Sequence, residues 1–365
     1  MTAFVDACVQ TLAGSAVAAE RRTGGRRHAR RLLRTLAGKR HILVTTHMHP
    51  DPDALGSAMA LCTLLADQLG AAGGVQIVLA TKGRIGGGIN DAFLRNSSVM
   101  LTPWEDIKLE TFDAIVLLDT QPQFAFSPLP ANMPPTAVID HHRGRGRKAQ
   151  VPLWDVRKDV GATCSIVFSY FMELDVPIPP DLAATMLYAI ESDLAGAAGT
   201  PGDLDNIALS SLTLVANARK LYQMRYTPLP QSYFTVYAQA LNHAAYLSNA
   251  VVTQLDSIES MEQPAVMADF LLRFDRAEWA LVTARTEDKL ILSLRTRSRD
   301  CSAADAMRRI IHRMGEGGGH RTKAGGYIPI AGKTDIEIQR LRARVWRRYL
   351  GAVGLKPGKP IKLVP

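Results

Sequence analysis

The sequence predicts an α/β protein: an N-terminal domain built on a parallel sheet with flanking helices, then a smaller C-terminal α/β domain. Three observations carry this. The chain's 365 residues exceed one average domain. From His41, short apolar runs alternate with helical patterns, as buried strands joined by helices do. His47, Asp119 and the stretch Asp140 to His142 each stand just past an apolar run, the carboxyl edge where open α/β sheets keep their ligands.

Residues 1–38 read as a basic, helical N-terminal extension. In the first domain, 39–215, HILVTTH, GVQIVLAT, FDAIVLLDT and TAVIDHH read as strands, and LGSAMALCTLLADQLG, CSIVFSYFMEL and DLAATMLYAIESD as helices. A mostly helical stretch interrupted by Pro228 and Pro230 reads as a linker over 216–250. The second domain, 251–332, offers WALVTAR and KLILSLRTR as neighbouring strands. Its SAADAMRRIIHRM segment reads as an amphipathic helix with Ser302 at the N-cap, leading into GEGGGHRTKAGG. Residues 333–365 close the chain with the basic helix IEIQRLRARVWRRYLGAV and a tail, GLKPGKPIKLVP, expected to fray.

Composition narrows the function classes. Hydrophobic residues at 47% and charged residues at 21% mark an ordinary globular chain. No apolar run reaches the roughly 18 to 20 residues of a membrane helix, because ALGSAMALCTLLA stops short at Asp67. Asp6 stands where an export signal carries a positive charge. The four cysteines, Cys8, Cys62, Cys164 and Cys301, form no CxxC pair, so a cytoplasmic location is expected. The net charge of +9 is concentrated in Arg21, Arg22, Arg26, Arg27, Arg30, Arg31, Arg34, Lys39 and Arg40, and again in Arg340, Arg342, Arg344, Arg347 and Arg348. Each cluster is either a solvated helix face or a field that draws in a polyanion such as nucleic acid.

The stretch VTTHMHPDPDALGSAMA places His47, Asp51 and Asp53 where a chain reversal after a strand aims all three at one point. Asp119 arrives from LLDT, His141 from IDHH, and Asp193 from the end of the IESD helix. Imidazoles with an excess of carboxylates and no sulfur suit Mn²⁺ or Mg²⁺. The set exceeds the needs of one ion. Two ions about 3.5 to 4 Å apart, sharing one carboxylate, would use it and would clamp a phosphoester. His49 reads as a solvent-facing turn residue.

HMHPDPDALGS, LLDT, IDHH, IESD and GGGHRTKAGG occur in that order between about residues 40 and 330, and together they resemble the DHH phosphoesterase family with its C-terminal substrate domain. The resemblance implies that His47 and Asp51 hold one Mn²⁺ and that Asp53, His141 and Asp193 hold the other, with Asp119 bridging them. It makes Asp140 and His142 catalytic or supporting groups, His142 either protonating the leaving group or orienting a ligand. Arg295, the run Gly317, Gly318, Gly319 and His320, and the neighbouring Arg321 are implied to grip a substrate phosphate. Glu316 stands where a further glycine is common in the family. The two-domain plan is similar to the nanoRNase branch, which implies short RNA oligonucleotides cut to nucleoside 5′-monophosphates, 3′-phosphoadenosine 5′-phosphate as a second substrate, and a homodimer among the expected partners. Hydrolysis of cyclic or linear dinucleotides is the enzymatic alternative, and a nucleic-acid-binding module the non-enzymatic one.

Overall fold

In the computed structural model the described residues are 27–70, 74–83, 88–97, 99–142, 144, 151–194, 201–298, 300–319 and 321–364. The chain divides at Thr227 and Pro228 into two units, each with its own sheet. The first runs α1 (His28–Leu36), β1 (His41–Thr45), α2 (Pro52–Gly70), β2 (Gln76–Leu79), α3 (Gly88–Ser97), β3 (Ala114–Leu118), β4 (Ala137–Asp140), β5 (Leu153–Val156), α4 (Thr163–Leu174), α5 (Pro180–Leu194), α6 (Asp203–Val215) and α7 (Ala218–Arg225).

Its five strands are all parallel, in the order β2-β1-β3-β4-β5. Strand order reverses between β1 and β3, the switch point where doubly wound sheets bind ligands. Alternate strand residues face opposite sides. Ile42, Val44, Val116, Leu118 and Ile139 pack against the helices, while Leu43, Leu117 and Val138 pack beneath Leu129, Trp104, Phe112 and Trp154. Gly56 of α2 lies so close to α5 that a Cβ there would stand 2.6 Å from the Cβ of Ala189.

Strand β5 went unread in the sequence. It is four residues long and carries Asp155, which is buried. That carboxylate accepts two hydrogen bonds from Arg157 (2.9 and 2.8 Å) and one from the Tyr170 hydroxyl (2.7 Å), and His28 lies 3.2 Å away. Within the segment read as an extension, α1 sends Ala29, Leu32 and Leu36 into the core, and its first amides donate to the Glu173 carboxylate (2.8 and 3.1 Å). Arg27, Arg30, Arg31 and Arg34 lie on its exposed side, and Arg21, Arg22 and Arg26 lie outside the described residues.

The second unit runs α8 (Gln231–His243), β6 (Ala245–Leu247), β7 (Ala250–Leu255), α9 (Gln263–Leu271), β8 (Trp279–Arg285), β9 (Lys289–Thr296), α10 (Ala303–Ile311), β10 (Glu316–Gly319), β11 (Lys323–Pro329), α11 (Asp335–Ala352) and β12 (Ile361–Lys362). The sheet is mixed, ordered β10-β11-β9-β8-β7-β6-β12. Leu281, Leu292, Met307 and Tyr349 pack on one face, and Val251, Val282, Met267 and Val236 on the other. Residues 216–250 therefore contain α7, whose Leu221 and Met224 join the first core, and α8, whose Val236 and Ala240 join the second unit's.

Ser302 caps α10, its hydroxyl accepting from the amide of Asp305 (3.4 Å). The C-terminal tail is ordered by pairing rather than frayed: Ile361 is in register with Tyr246, and the Leu363 amide donates to Ala244 (2.9 Å). In the C-terminal arginine cluster, Arg342 binds Asp256 and the Leu255 carbonyl, and Arg348 binds the carbonyls of Ile310 and His312. Arg340, Arg344 and Arg347 are exposed.

Candidate metal centre

The centre forms where β1, β3 and β4 end side by side. Past β1, His47 and Met48 turn away from the sheet, and exposed His49 adopts a left-handed backbone (φ 58°) with its amide bonded to the Lys82 carbonyl (3.0 Å). Asp51 then starts α2, its carboxylate accepting from the Ala54 amide (3.0 Å) with Pro52 in the first helical position. Asp53, only 1% exposed, accepts from the amides of Thr163 (2.7 Å) and Cys164 (2.9 Å). These are the first amides of α4, so a helix start holds the carboxylate.

Asp119 follows β3 in a left-handed conformation (φ 55°), its amide bonded to the Ile139 carbonyl (2.9 Å). Its two oxygens look in different directions. Oδ2 lies 3.5 Å from His47 Nε2, while Oδ1 lies 3.4 Å from His141 Nε2 and accepts from the Thr163 hydroxyl at 2.8 Å. His47 Nε2 is also 4.0 Å from Asp51, and His141 Nε2 is 3.5 Å from Asp193 near the end of α5. The candidate ligands so gather into a trio of His47, Asp51 and Asp119 and another of Asp53, His141 and Asp193, with Asp119, His141 and His142 forming a third that overlaps both, ligand atoms lying within 4.8 Å of one another in each. Ligands bonded to one ion at about 2.0 to 2.2 Å stand no more than about 4.4 Å apart, so a small inward movement of these side chains completes any one trio around an ion. Nitrogen and oxygen donors without sulfur fit a hard or borderline divalent cation.

Burial opposes charge on His47, yet hydrogen bonding to Asp119 and the charges of Asp51 and Asp119 push its pKa up to about 9. Burial likewise disfavours the His141 cation, and Asp119 with Asp193 outweighs that and drives it well above its ordinary value. Burial, then the charges of Asp119 and Asp193, raise Asp53 well above the carboxylate range. Asp119 goes the other way, its burial overcome by the surrounding imidazoles.

Asp140 is fully buried beside the cluster. It bonds His142 Nδ1 (2.6 Å) and accepts from the Gln121 side chain (2.7 Å), which also donates to the His142 carbonyl (3.0 Å). These bonds fix the orientation of the His142 ring. Gln121 and Thr163 escaped the sequence reading, since neither sits in a recognisable motif.

In the second unit the glycine run is an edge strand, not a loop. Gly317 and Gly319 pair with Gly326 and Ala324, and a Cβ on either would collide with backbone: 2.5 Å from the Gly325 oxygen and 2.3 Å from the Lys323 oxygen, respectively. Only Gly318 of the three has open space where a Cβ would stand. Arg295 bonds Asp269 (2.8 Å) and the Ser293 hydroxyl (3.1 Å), and in register it lies opposite Lys323, a cation the sequence reading passed over. Arg321 is exposed, and His320 lies outside the described residues.

An uncharacterized protein of Methanocaldococcus jannaschii is 30% identical over 325 residues, covering 87% of this chain; the chain spans 65% of that relative's length. A probable manganese-dependent inorganic pyrophosphatase of Lactobacillus johnsonii is 30% identical over 176 residues, 48% of this chain and 54% of the relative. The crystal structure of an exopolyphosphatase-related protein from Bacteroides fragilis shares the fold, with a TM-score of 0.69 at 16% identity over 89% of this chain and 97% of that one. The family model described as "DHH family, N-terminal domain" matches residues 41–190, the span from β1 to the last turns of α5 that carries most of the candidate ligands.

Proposed function

We propose that this protein is a manganese-dependent phosphoesterase that hydrolyses very short RNA to nucleoside 5′-monophosphates. One observation carries the reading: Asp119 Oδ2 is turned toward His47 while Oδ1 faces His141 and His142, so its two oxygens serve different groups of candidate ligands. His47, Asp51 and Asp119 would hold one ion, and Asp53, His141, Asp193 and Asp119 the other. Bound there, the pair of ions would activate a water and offset the charge developing on the phosphoryl oxygens. The manganese in the name of the pyrophosphatase relative supports the choice of metal.

The chain's own groups do the rest. The α4 amides and the Thr163 hydroxyl hold Asp53 and Asp119 in place, so ligand geometry costs little reorganisation. His142, aligned by Asp140 and Gln121, protonates the leaving oxygen. Arg295, Gly318 and Arg321 of the second unit, with His320, bind a terminal phosphate.

Product analysis tests this. The Mn²⁺-loaded protein is incubated in parallel with diadenylate, a five-nucleotide RNA, 3′-phosphoadenosine 5′-phosphate, cyclic di-AMP and pyrophosphate. Release of 5′-AMP from the two linear RNAs is expected. Preferential opening of the cyclic dinucleotide, or turnover of pyrophosphate alone, overturns the substrate assignment while leaving the two-metal reading intact.

A further inference from the structure

Helix α7 carries a surface that the metal centre does not use. Tyr222 and Tyr226, one turn apart, are 62% and 67% exposed, and their rings lie together with centroids 4.8 Å apart at 34°. Beside them is an open recess of about 280 Å³ walled by the cations Arg95, Arg219 and Lys220, the Asp181 carboxylate and the amides Asn96, Asn217 and Gln223. Lys220 is almost wholly buried and reaches Asp181 at 3.3 Å, whereas no carboxylate among the described residues lies within ion-pairing distance of Arg219. The patch offers stacking faces with the Arg95 and Arg219 cations alongside, Lys220 being neutralised by Asp181 and Arg225 by Glu191.

Its direction matters as much as its composition. Asn217, the N-cap of α7, and Lys220 bind Asp181 in the first turn of α5, and Arg225 at the end of α7 pairs with Glu191 in the last turn of α5. The two helices therefore run side by side in the same sense. Glu191 precedes Asp193 by two residues, about 3 Å along the helix axis. The tyrosine face thus extends from the recess to the end of α5 that supplies the metal centre.

We propose that this face of α7 is a track for single-stranded RNA, with bases stacked on Tyr222 and Tyr226 and a backbone phosphate near Arg219. Aromatic platforms joined to cations bind single strands of any sequence, since every base has a stacking face. A strand joining the tyrosines to Asp193 must pass around a helix roughly 10 Å across, so the track serves oligonucleotides and not dinucleotides. The choice of RNA as ligand rests on the function proposed above; the track itself is tested by binding.

Affinities of fluorescein-labelled hepta-adenylate and diadenylate are measured by anisotropy on the full chain, with Ca²⁺ in place of Mn²⁺ to slow turnover. Tyr222→Ser/Tyr226→Ser is expected to weaken heptamer binding about tenfold and to lower the preference for heptamer over dimer by a similar factor. Arg219→Gln is expected to reduce the slope of log Kd against log salt by about one. A heptamer Kd changed less than twofold overturns the track, as does equal weakening of both lengths. A double variant that loses only thermal stability, or that changes oligomeric mass while keeping its RNA affinity, overturns it too and assigns the pair to helix support or to a second copy of the chain. If the Mn²⁺ protein cleaves no RNA at all, the proposed substrate fails while the binding comparison still decides the track.

Discussion

The two units place their candidate functional residues at opposite kinds of sheet position. In the first, His47, Asp119 and His141 follow β1, β3 and β4, the three interior strands, and each is held from several sides. In the second, the glycine run is the edge strand β10, paired on one side only. An interior strand end fixes a side chain through its neighbours' packing, while an edge strand leaves a backbone accessible. The first site should therefore fail with any single ligand, and the second should tolerate some substitutions and not others.

The largest effect is expected at the shared ligand. Asp119→Ala should lower kcat by more than the roughly 100-fold that marks loss of an outer-sphere partner, and isothermal titration should show weaker Mn²⁺ binding. Wild-type turnover in that variant would remove Asp119 from the centre. Asp140→Asn keeps the shape but weakens the hold on His142 Nδ1, and a kcat loss of about 10- to 100-fold is expected with Mn²⁺ stoichiometry unchanged. Loss of metal along with activity would instead make Asp140 part of the ligand set.

Much of the first site was legible because its ligands obey a positional rule: a polar residue just past an apolar run stands at the carboxyl edge of a buried strand. Asp53 was legible only as a carboxylate in a crowded stretch; its anchors are backbone amides of α4, to which every residue type contributes alike. Thr163 is hidden for the same reason, a hydroxyl whose role exists only once β3 and α4 meet. Strand β5 escaped because its four residues alternate buried and half-buried around a charged Asp155, whose burial depends on Arg157 and Tyr170. The glycine run misled in the opposite sense, since glycine signals a turn more often than a strand, and the closeness of the Gly325 and Lys323 oxygens accounts for Gly317 and Gly319 within a strand.

Protons and metal should compete at the first site. The neighbouring carboxylates push the His47 pKa up to about 9, against about 6.5 in an unfolded chain. A raised pKa contributes stability that is fully present below the unfolded value and is lost as pH rises through the folded one. The raised Asp53 acts in the same sense. The metal-free Tm is therefore expected to fall between about pH 6.5 and 9, and Mn²⁺ to restore it. Because each ion displaces protons, its apparent affinity should rise over that window, up to about tenfold per pH unit for each proton released. An affinity independent of pH would show that neutral imidazoles are already present and that the close pairs with Asp119 do not hold protons.

The smallest expected effect sharpens the contrast at the edge strand. Gly319 has φ 151° and would place a Cβ 2.3 Å from the Lys323 oxygen, so Gly319→Val should destabilise the second unit by about 1 to 3 kcal/mol in chemical denaturation. Gly318, with nothing within 4 Å of a built Cβ, should accept alanine with a stability change below about 0.5 kcal/mol. The methyl group then reports on substrate alone. A several-fold rise in KM for RNA at unchanged kcat would mean that a phosphate approaches this backbone closely enough to need glycine. An unchanged KM would mean that the run is glycine solely because β11 lies against Gly317 and Gly319, and phosphate binding in the second unit would fall to Arg295, His320 and Arg321.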